Sequence, residues 1–203
     1  MRLTTYTGGF CATNAYLLET PAGIILIDAP DGVAAWLAAQ GKRADHLLLT
    51  HQHFDHVDDA AAVQQTGAVL RAMEDYSKEF TLEDLFNAGY GADIAVPPFR
   101  VDQRLDPSGP PVELCGLSFH LFHVPGHSPD SVVFHLPEAG CAFVGDTLMC
   151  GSIGRTDLPR GGHGMLLDGI RRHLLTLPPQ TVILSGHGPQ TTVAEELRHN
   201  PFL

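Results

Sequence analysis

Cysteine is scarce in this chain of 203 residues: Cys11, Cys115, Cys141 and Cys150 are its only four, and no two are spaced as CxxC. That removes the usual spacing of a thiolate zinc site or a redox pair, and a disulfide framework is not needed at this length. Each cysteine lies in or beside an apolar run, so buried, reduced thiols are expected. Long apolar runs are missing too. No stretch of 18 apolar residues exists, and the N-terminus MRLTTYTGGF has no apolar signal core, so a soluble cytoplasmic protein is expected, with no membrane contact. Positive charge is sparse, with 12 Lys and Arg against 23 Asp and Glu, giving a net charge of −11. Such a surface repels nucleic acid and anionic lipid. Bound divalent cations would offset part of this charge. Low-complexity and linker-like stretches are also absent, which argues for a single layered α/β domain over residues 1–203.

A hydrophobic content of 44% is enough to build a core, since a chain of this size buries roughly 70% of its unfolded surface. Ala15–Glu19 and Gly23–Asp28 flank Thr20-Pro21-Ala22 and read as a hairpin. Val33–Ala39 suits a helix closed by Gly41. The run His46–Thr50 is a short covered strand. Asp55–Gln65 has helical spacing, with acids in its first turn and Gly67 beyond its end. Met73–Ala88 holds one or two helices, inside a 69–111 region whose aromatics are expected to pack or to cover a substrate. Leu117–Val124, Ser131–Leu136, Ala142–Gly145 and Thr181–Ser185 read as strands, and Met165–Leu175 as a helix.

The chemistry is concentrated in Thr50-His51-Gln52-His53-Phe54-Asp55-His56-Val57-Asp58-Asp59. His51 and His53 stand at the end of a strand, where a turn can aim both imidazoles at one point. Asp55 and His56 follow where a helix begins and offer a second group of ligands, because a four-coordinate site rarely takes all its ligands from six consecutive residues. Three more residues occupy matching places: His127, Asp146 and His187 each follow an apolar strand beside a glycine, where open α/β sheets bind ligands. The remaining histidines, including His46, His120, His123, His135, His163, His173 and His199, lack that context and are expected to be structural or on the surface.

These motifs resemble the metallo-β-lactamase superfamily. They are His51-Gln52-His53-Phe54-Asp55-His56, Pro125-Gly126-His127-Ser128, Gly145-Asp146-Thr147-Leu148 and Ser185-Gly186-His187-Gly188-Pro189, which span nearly the whole chain. Asp28 matches the early strand-end aspartate that supports a ligand in that family. The resemblance implies an αββα sandwich with metals at one edge. It also implies that His51, His53 and His127 bind one metal, that Asp55, His56 and His187 bind a second, and that Asp146 bridges them. Asp146 stands where secreted β-lactamases carry cysteine or serine, so antibiotic hydrolysis is not expected.

Within the family, Gly151–Gly161 and the ending Gly186–Leu203 are similar to the short bacterial glyoxalase II-like hydrolases. That likeness implies hydrolysis of a small-molecule thioester such as an S-acylglutathione, with Asp55 orienting the attacking hydroxide. Two divalent ions are implied, zinc by preference, although iron and manganese also accept His/Asp ligands. The rival is a mononuclear-iron persulfide dioxygenase, which shares Gly154-Arg155-Thr156-Asp157 and would use His51, His127 and Asp146. A lactonase or other ester hydrolase is a third reading. Arg155 and Asp157 are expected to pair and shape their loop. Asp58 and Asp59 replace glycines common in the family and are expected to be helix N-terminal carboxylates. Oligomeric state is not legible in these residues.

Overall fold

In the computed structural model, which describes residues 1–203, the chain divides into two units, Met1–Leu105 and Asp106–Leu203. The first contains β1 (Arg2–Gly8), β2 (Thr13–Thr20), β3 (Gly23–Ile27), α1 (Val33–Ala39), β4 (His46–Leu48), α2 (Phe54–Val57), α3 (Ala60–Gln65), β5 (Val69–Ala72), α4 (Lys78–Thr81), α5 (Glu83–Tyr90) and β6 (Gln103–Arg104). Its sheet has the order β1-β2-β3-β4-β5-β6. The first three strands pair antiparallel, and β3 to β6 pair parallel. Strands β2, β3 and β4 are almost wholly buried, which is why they read as continuous apolar runs. Leu17, Leu26, Leu47 and Leu70 pack with Val33, Leu37, Val57 and Val63 of the helices. Each such side chain contributes about 1.5–3 kcal/mol by leaving water.

The helix expected over Asp55–Gln65 is broken in two. The carbonyl of His56 accepts the amide of Ala29, and the amide of Asp59 donates to the carbonyl of Ala29, so Asp58 and Asp59 leave the helical ladder. The Asp59 side chain does not cap its own helix. Its Oδ2 accepts the amide of Ala34 at the start of α1, 2.9 Å away. The expected role of helix N-terminal carboxylates therefore holds for Asp59 on a different helix. In the 69–111 region two helices form, α4 and α5. The region's aromatics pack: Phe86 lies 5.1 Å from Phe54, and Tyr76 lies 5.0 Å from Phe99, between ring centroids. Strand β5 gave no sequence signal because it is four residues long and carries Arg71.

The second unit contains β7 (Val112–Leu114), β8 (Leu117–His123), β9 (Val132–Leu136), β10 (Cys141–Gly145), β11 (Leu148–Met149), β12 (Ser152–Ile153), α6 (His163–Gly169), β13 (Val182–Ser185), β14 (Thr191–Thr192) and α7 (Val193–His199). Its main sheet has the order β14-β13-β10-β9-β8-β7, with β11 and β12 as a separate pair. Val124, Val133, Ala142, Val144 and Ile183 pack with Leu166, Ile170, Leu174 and Val193. The helix expected at Met165–Leu175 starts at His163 and widens to a π turn over Ile170–Leu174. Helix α7 had no counterpart in the sequence reading, although Thr192 is its cap and accepts the amide of Glu195 at 3.2 Å.

None of the four cysteines forms a disulfide, but only Cys141 is buried, which corrects the expectation of four buried thiols. Cys11 and Cys150 are exposed in the turns that follow β1 and β11, and Cys115 sits at positive φ between β7 and β8. Short apolar runs beside these positions belong to strands, while the cysteines themselves occupy the turns.

Candidate metal centre

In the first unit, parallel pairing of β3 with β4 sets the carboxyl ends of both strands at the same edge of the sheet. Asp28 follows β3, and Thr50-His51 follow β4. Asp28 has a φ of 59°, a left-handed conformation uncommon outside glycine. That bend turns its carboxylate back over the next strand end. Its Oδ1 accepts the amide of Thr50 at 2.7 Å, and its Oδ2 accepts the Thr50 hydroxyl at 2.8 Å. Oδ2 also lies 2.8 Å from Nδ1 of His56.

These contacts decide imidazole tautomers. The Thr50 hydroxyl has one proton and gives it to Asp28, so towards Nδ1 of His51, 3.1 Å away, it acts as the acceptor. Nδ1 of both His51 and His56 then carries the proton, and Nε2 is the nitrogen presented for coordination. A carboxylate behind each ligand imidazole is the usual outer support of a metal site. The rings of His51, His53 and His56 gather closely, with centroids 4.6 Å apart for His51 and His53 and 4.1 Å for His51 and His56. His53 stands at the N-terminal boundary of α2 without a capping side-chain bond, and Asp55 and His56 lie in its single turn. Oδ2 of Asp55 is 3.7 Å from Nε2 of His56 and accepts the hydroxyl of Thr13 at 2.7 Å. All four ligand candidates are buried. Between the two histidines of the turn, buried Gln52 donates to the carbonyls of Glu74 and Asp75, fixing the loop to the start of the 73–102 segment. Asp58 is half-buried near Asp55, Asp31 and Asp59, and burial together with those charges pushes its carboxyl up to about 7.

The second unit repeats the arrangement. Strand β8 pairs antiparallel to β9 and β9 antiparallel to β10, so β8 and β10 run the same way, and β13 is parallel to β10. His127, Asp146 and His187 follow these three strands at one edge. Nε2 of His187 is 3.2 Å and Nε2 of His127 is 3.5 Å from Oδ2 of Asp146. Two imidazole nitrogens around one carboxylate oxygen are a donor set suited to a divalent cation. The Nδ1 of His127 donates to the carbonyl of Arg155 at 2.9 Å, so this ligand too presents Nε2. Two glycines make the packing feasible. A Cβ on Gly126 would lie 2.5 Å from the amide nitrogen of Leu166, and one on Gly154 would lie 1.8 Å from the carbonyl oxygen of Asp146.

Arg155 and Asp157 form the expected pair, a fork with two contacts of 2.8 Å, on the protein surface. The other histidines take structural or surface places, with His120, His163 and His199 exposed. His46 accepts from Arg71 at 2.9 Å, His123 donates to the carbonyl of Pro129 at 2.8 Å, and His135 and His173 stack on Phe122. Sequence reasoning missed Thr13, Thr50 and the Arg155 carbonyl. Nothing in the sequence distinguishes these threonines from others, and any residue supplies a carbonyl.

Comparison with known proteins is consistent across the chain. Residues 8–187 match the family model of the metallo-beta-lactamase superfamily. A hydroxyacylglutathione hydrolase, GloC, of Haemophilus influenzae is 38% identical over 77% of this chain and 74% of its own length. Among solved structures, a B3 metallo-beta-lactamase, BLEG-1, is 32% identical and superposes with a TM-score of 0.87, covering 100% of this chain and 99% of its own. The di-iron-bound form of TTHA1623 is 38% identical, with a TM-score of 0.86 over 98% of this chain and 100% of its own. These whole-chain matches give the fold class expected from the sequence, the α/β fold of metallo-beta-lactamases.

Proposed function

The chain belongs to the metallo-beta-lactamase superfamily, and from that premise we propose that it is a dinuclear metal-dependent thioesterase acting on S-acylglutathione-type substrates. The observation that carries the reading is the paired donor set: buried His and Asp side chains in each unit, with the Nδ1 of His51, His56 and His127 already engaged. By the family pattern, His51, His53 and His127 would hold one ion, Asp55, His56 and His187 the other, and Asp146 both. The glutathione-thioester assignment is supported by the likeness to GloC and by the Gly151–Gly161 motif.

When bound, the two cations would supply a water acidic enough to attack near neutral pH and a positive charge for the developing oxyanion. Asp55 would accept a hydrogen bond from that nucleophile and orient it. Asp28 and Thr50 keep His51 and His56 in the tautomer that ligation requires. A thiolate leaving group departs with little help, since its pKa is low beside that of an alkoxide. Zinc fits the nitrogen-rich donor set, and iron fits the same residues.

The test is turnover of S-lactoylglutathione by the metal-loaded protein, compared with Asp146→Ala, alongside metal analysis. Two metals per chain and turnover that Asp146→Ala abolishes are the expected results. No turnover above that variant would sink the thioesterase reading. The second reading, a mononuclear-iron persulfide dioxygenase, is favoured by Gly154-Arg155-Thr156-Asp157. One iron per chain with stoichiometric oxygen uptake on glutathione persulfide would establish it instead. Hydrolysis of a chromogenic lactam in preference to the thioester would replace both.

A further inference from the structure

Thr13 opens β2 and is wholly buried, yet it is 42 residues away from the Asp55 whose Oδ2 it contacts at 2.7 Å. A hydroxyl in water would find partners without loss, so burying this one demands the bond it makes. At 2.7 Å the contact is a well-formed O–H···O hydrogen bond. The hydroxyl is also held rigidly. Threonine is β-branched and stiff about χ1. Its neighbour in register is Gly8, where a Cβ would lie 2.6 Å from the carbonyl oxygen of Asp31, so the hairpin end is clamped against that loop. Tyr6 adds a hydrogen bond to the same carbonyl at 3.0 Å.

We propose that Thr13 is a positioning residue for Asp55: its hydroxyl fixes the rotation of the carboxylate and so sets how Asp55 meets the second metal. The proposal rests on the reading of Asp55 and His56 as ligands of that ion. The same oxygen, Oδ2, lies 2.7 Å from the Thr13 hydroxyl and 3.7 Å from Nε2 of His56, so a rotation of the carboxylate changes both distances together. Ligating carboxylates are commonly fixed this way, and losing the outer partner costs about 10–100-fold in metal affinity.

The experiment uses Thr13→Val, which preserves shape and removes the hydroxyl, Thr13→Ser, which restores it, and Thr13→Ala. Metal-free protein is titrated with zinc against a chromophoric chelator, and cobalt spectra are recorded for each protein. In Thr13→Val and Thr13→Ala one of the two zinc ions should lose about 10–100-fold in affinity. The other ion should be unchanged, and Thr13→Ser should recover most of the loss. Unchanged affinity for both ions in Thr13→Val and Thr13→Ala would overturn the proposal. So would an equal loss at both ions that follows thermal stability and persists in Thr13→Ser, because that marks a structural role. A wild type that takes up only one ion would overturn the dinuclear reading and this proposal together, whereas two ions with unaltered affinity in the variants would overturn the proposal alone.

Discussion

Nδ1 of His56 lies 2.8 Å from Oδ2 of Asp28, and the same oxygen accepts the hydroxyl of Thr50, whose oxygen faces Nδ1 of His51 at 3.1 Å. One carboxylate thus sets the tautomer of two candidate ligands, one directly and one through a threonine. Asp28→Asn tests this without disturbing the backbone, because asparagine tolerates the positive φ that Asp28 adopts. The amide still accepts one hydrogen bond but loses the negative charge. We expect zinc affinity to fall about 10–100-fold, while the circular dichroism of the variant matches that of the parent. A competition titration decides it, and undiminished affinity would refute the role given to Asp28.

Gly154→Ala should disturb the His127, Asp146 and His187 group of the second unit. The added Cβ would fall 1.8 Å from the carbonyl oxygen of Asp146, so either the loop or Asp146 must move. Overpacking of this kind costs about 1–3 kcal/mol, and a denaturant midpoint would register it. The same displacement loosens the Arg155 carbonyl from His127, so metal content per chain should drop as well. A fully loaded, equally stable Gly154→Ala protein would contradict this packing.

Thiol reactivity follows the distribution of the cysteines. Burial pushes the Cys141 thiol up to about 11, leaving almost no thiolate at neutral pH, while Cys11 and Cys150 lie on the surface. Timed alkylation read by mass spectrometry should label Cys11 and Cys150 first and Cys141 only once the protein unfolds. Early labelling of Cys141 in the native protein would be inconsistent with the fold described.

The Arg155–Asp157 fork has a defined pH range. Hydrogen bonds from the Arg155 guanidinium hold the Asp157 carboxyl down at about 2, against roughly 3.9 for an unperturbed aspartate. A carboxyl with a depressed folded-state pKa contributes its stabilisation in full above the unfolded value and loses it as pH falls through the folded one. The loop should therefore keep its pairing to below pH 3. A carboxyl NMR titration of Asp157 should find its midpoint near 2, and Arg155→Gln should return it towards 3.9. A wild-type midpoint near 3.9 would mean that the fork does not persist in solution.

Much of this was legible from local sequence. The helix Val33–Ala39, the hairpin across Thr20-Pro21-Ala22 and the strands β8, β9, β10 and β13 of the second unit announce themselves by apolar runs and turn residues. The ligand candidates were legible because histidine and aspartate just beyond a buried strand are rarely there for packing. Other features were invisible for the opposite reason. Strand β5 is four residues with an arginine inside, and only pairing to β4 makes it a strand. The break between α2 and α3 arises because Ala29 takes both a carbonyl and an amide from that segment, and Ala29 lies some thirty residues earlier.

By itself the sequence determined the residue types, the strand ends that carry them and the family to which they belong. Periodicity and turn chemistry are local properties, written in neighbouring residues. Only the tertiary structure decided which nitrogen each imidazole presents, which carboxylate stands behind it and which helix Asp59 caps. Those outcomes depend on hydrogen bonds between residues 22 to 42 positions apart, such as Thr50 to Asp28 and Thr13 to Asp55. A donor and its acceptor leave no joint mark in one sequence when the chain must fold before they meet.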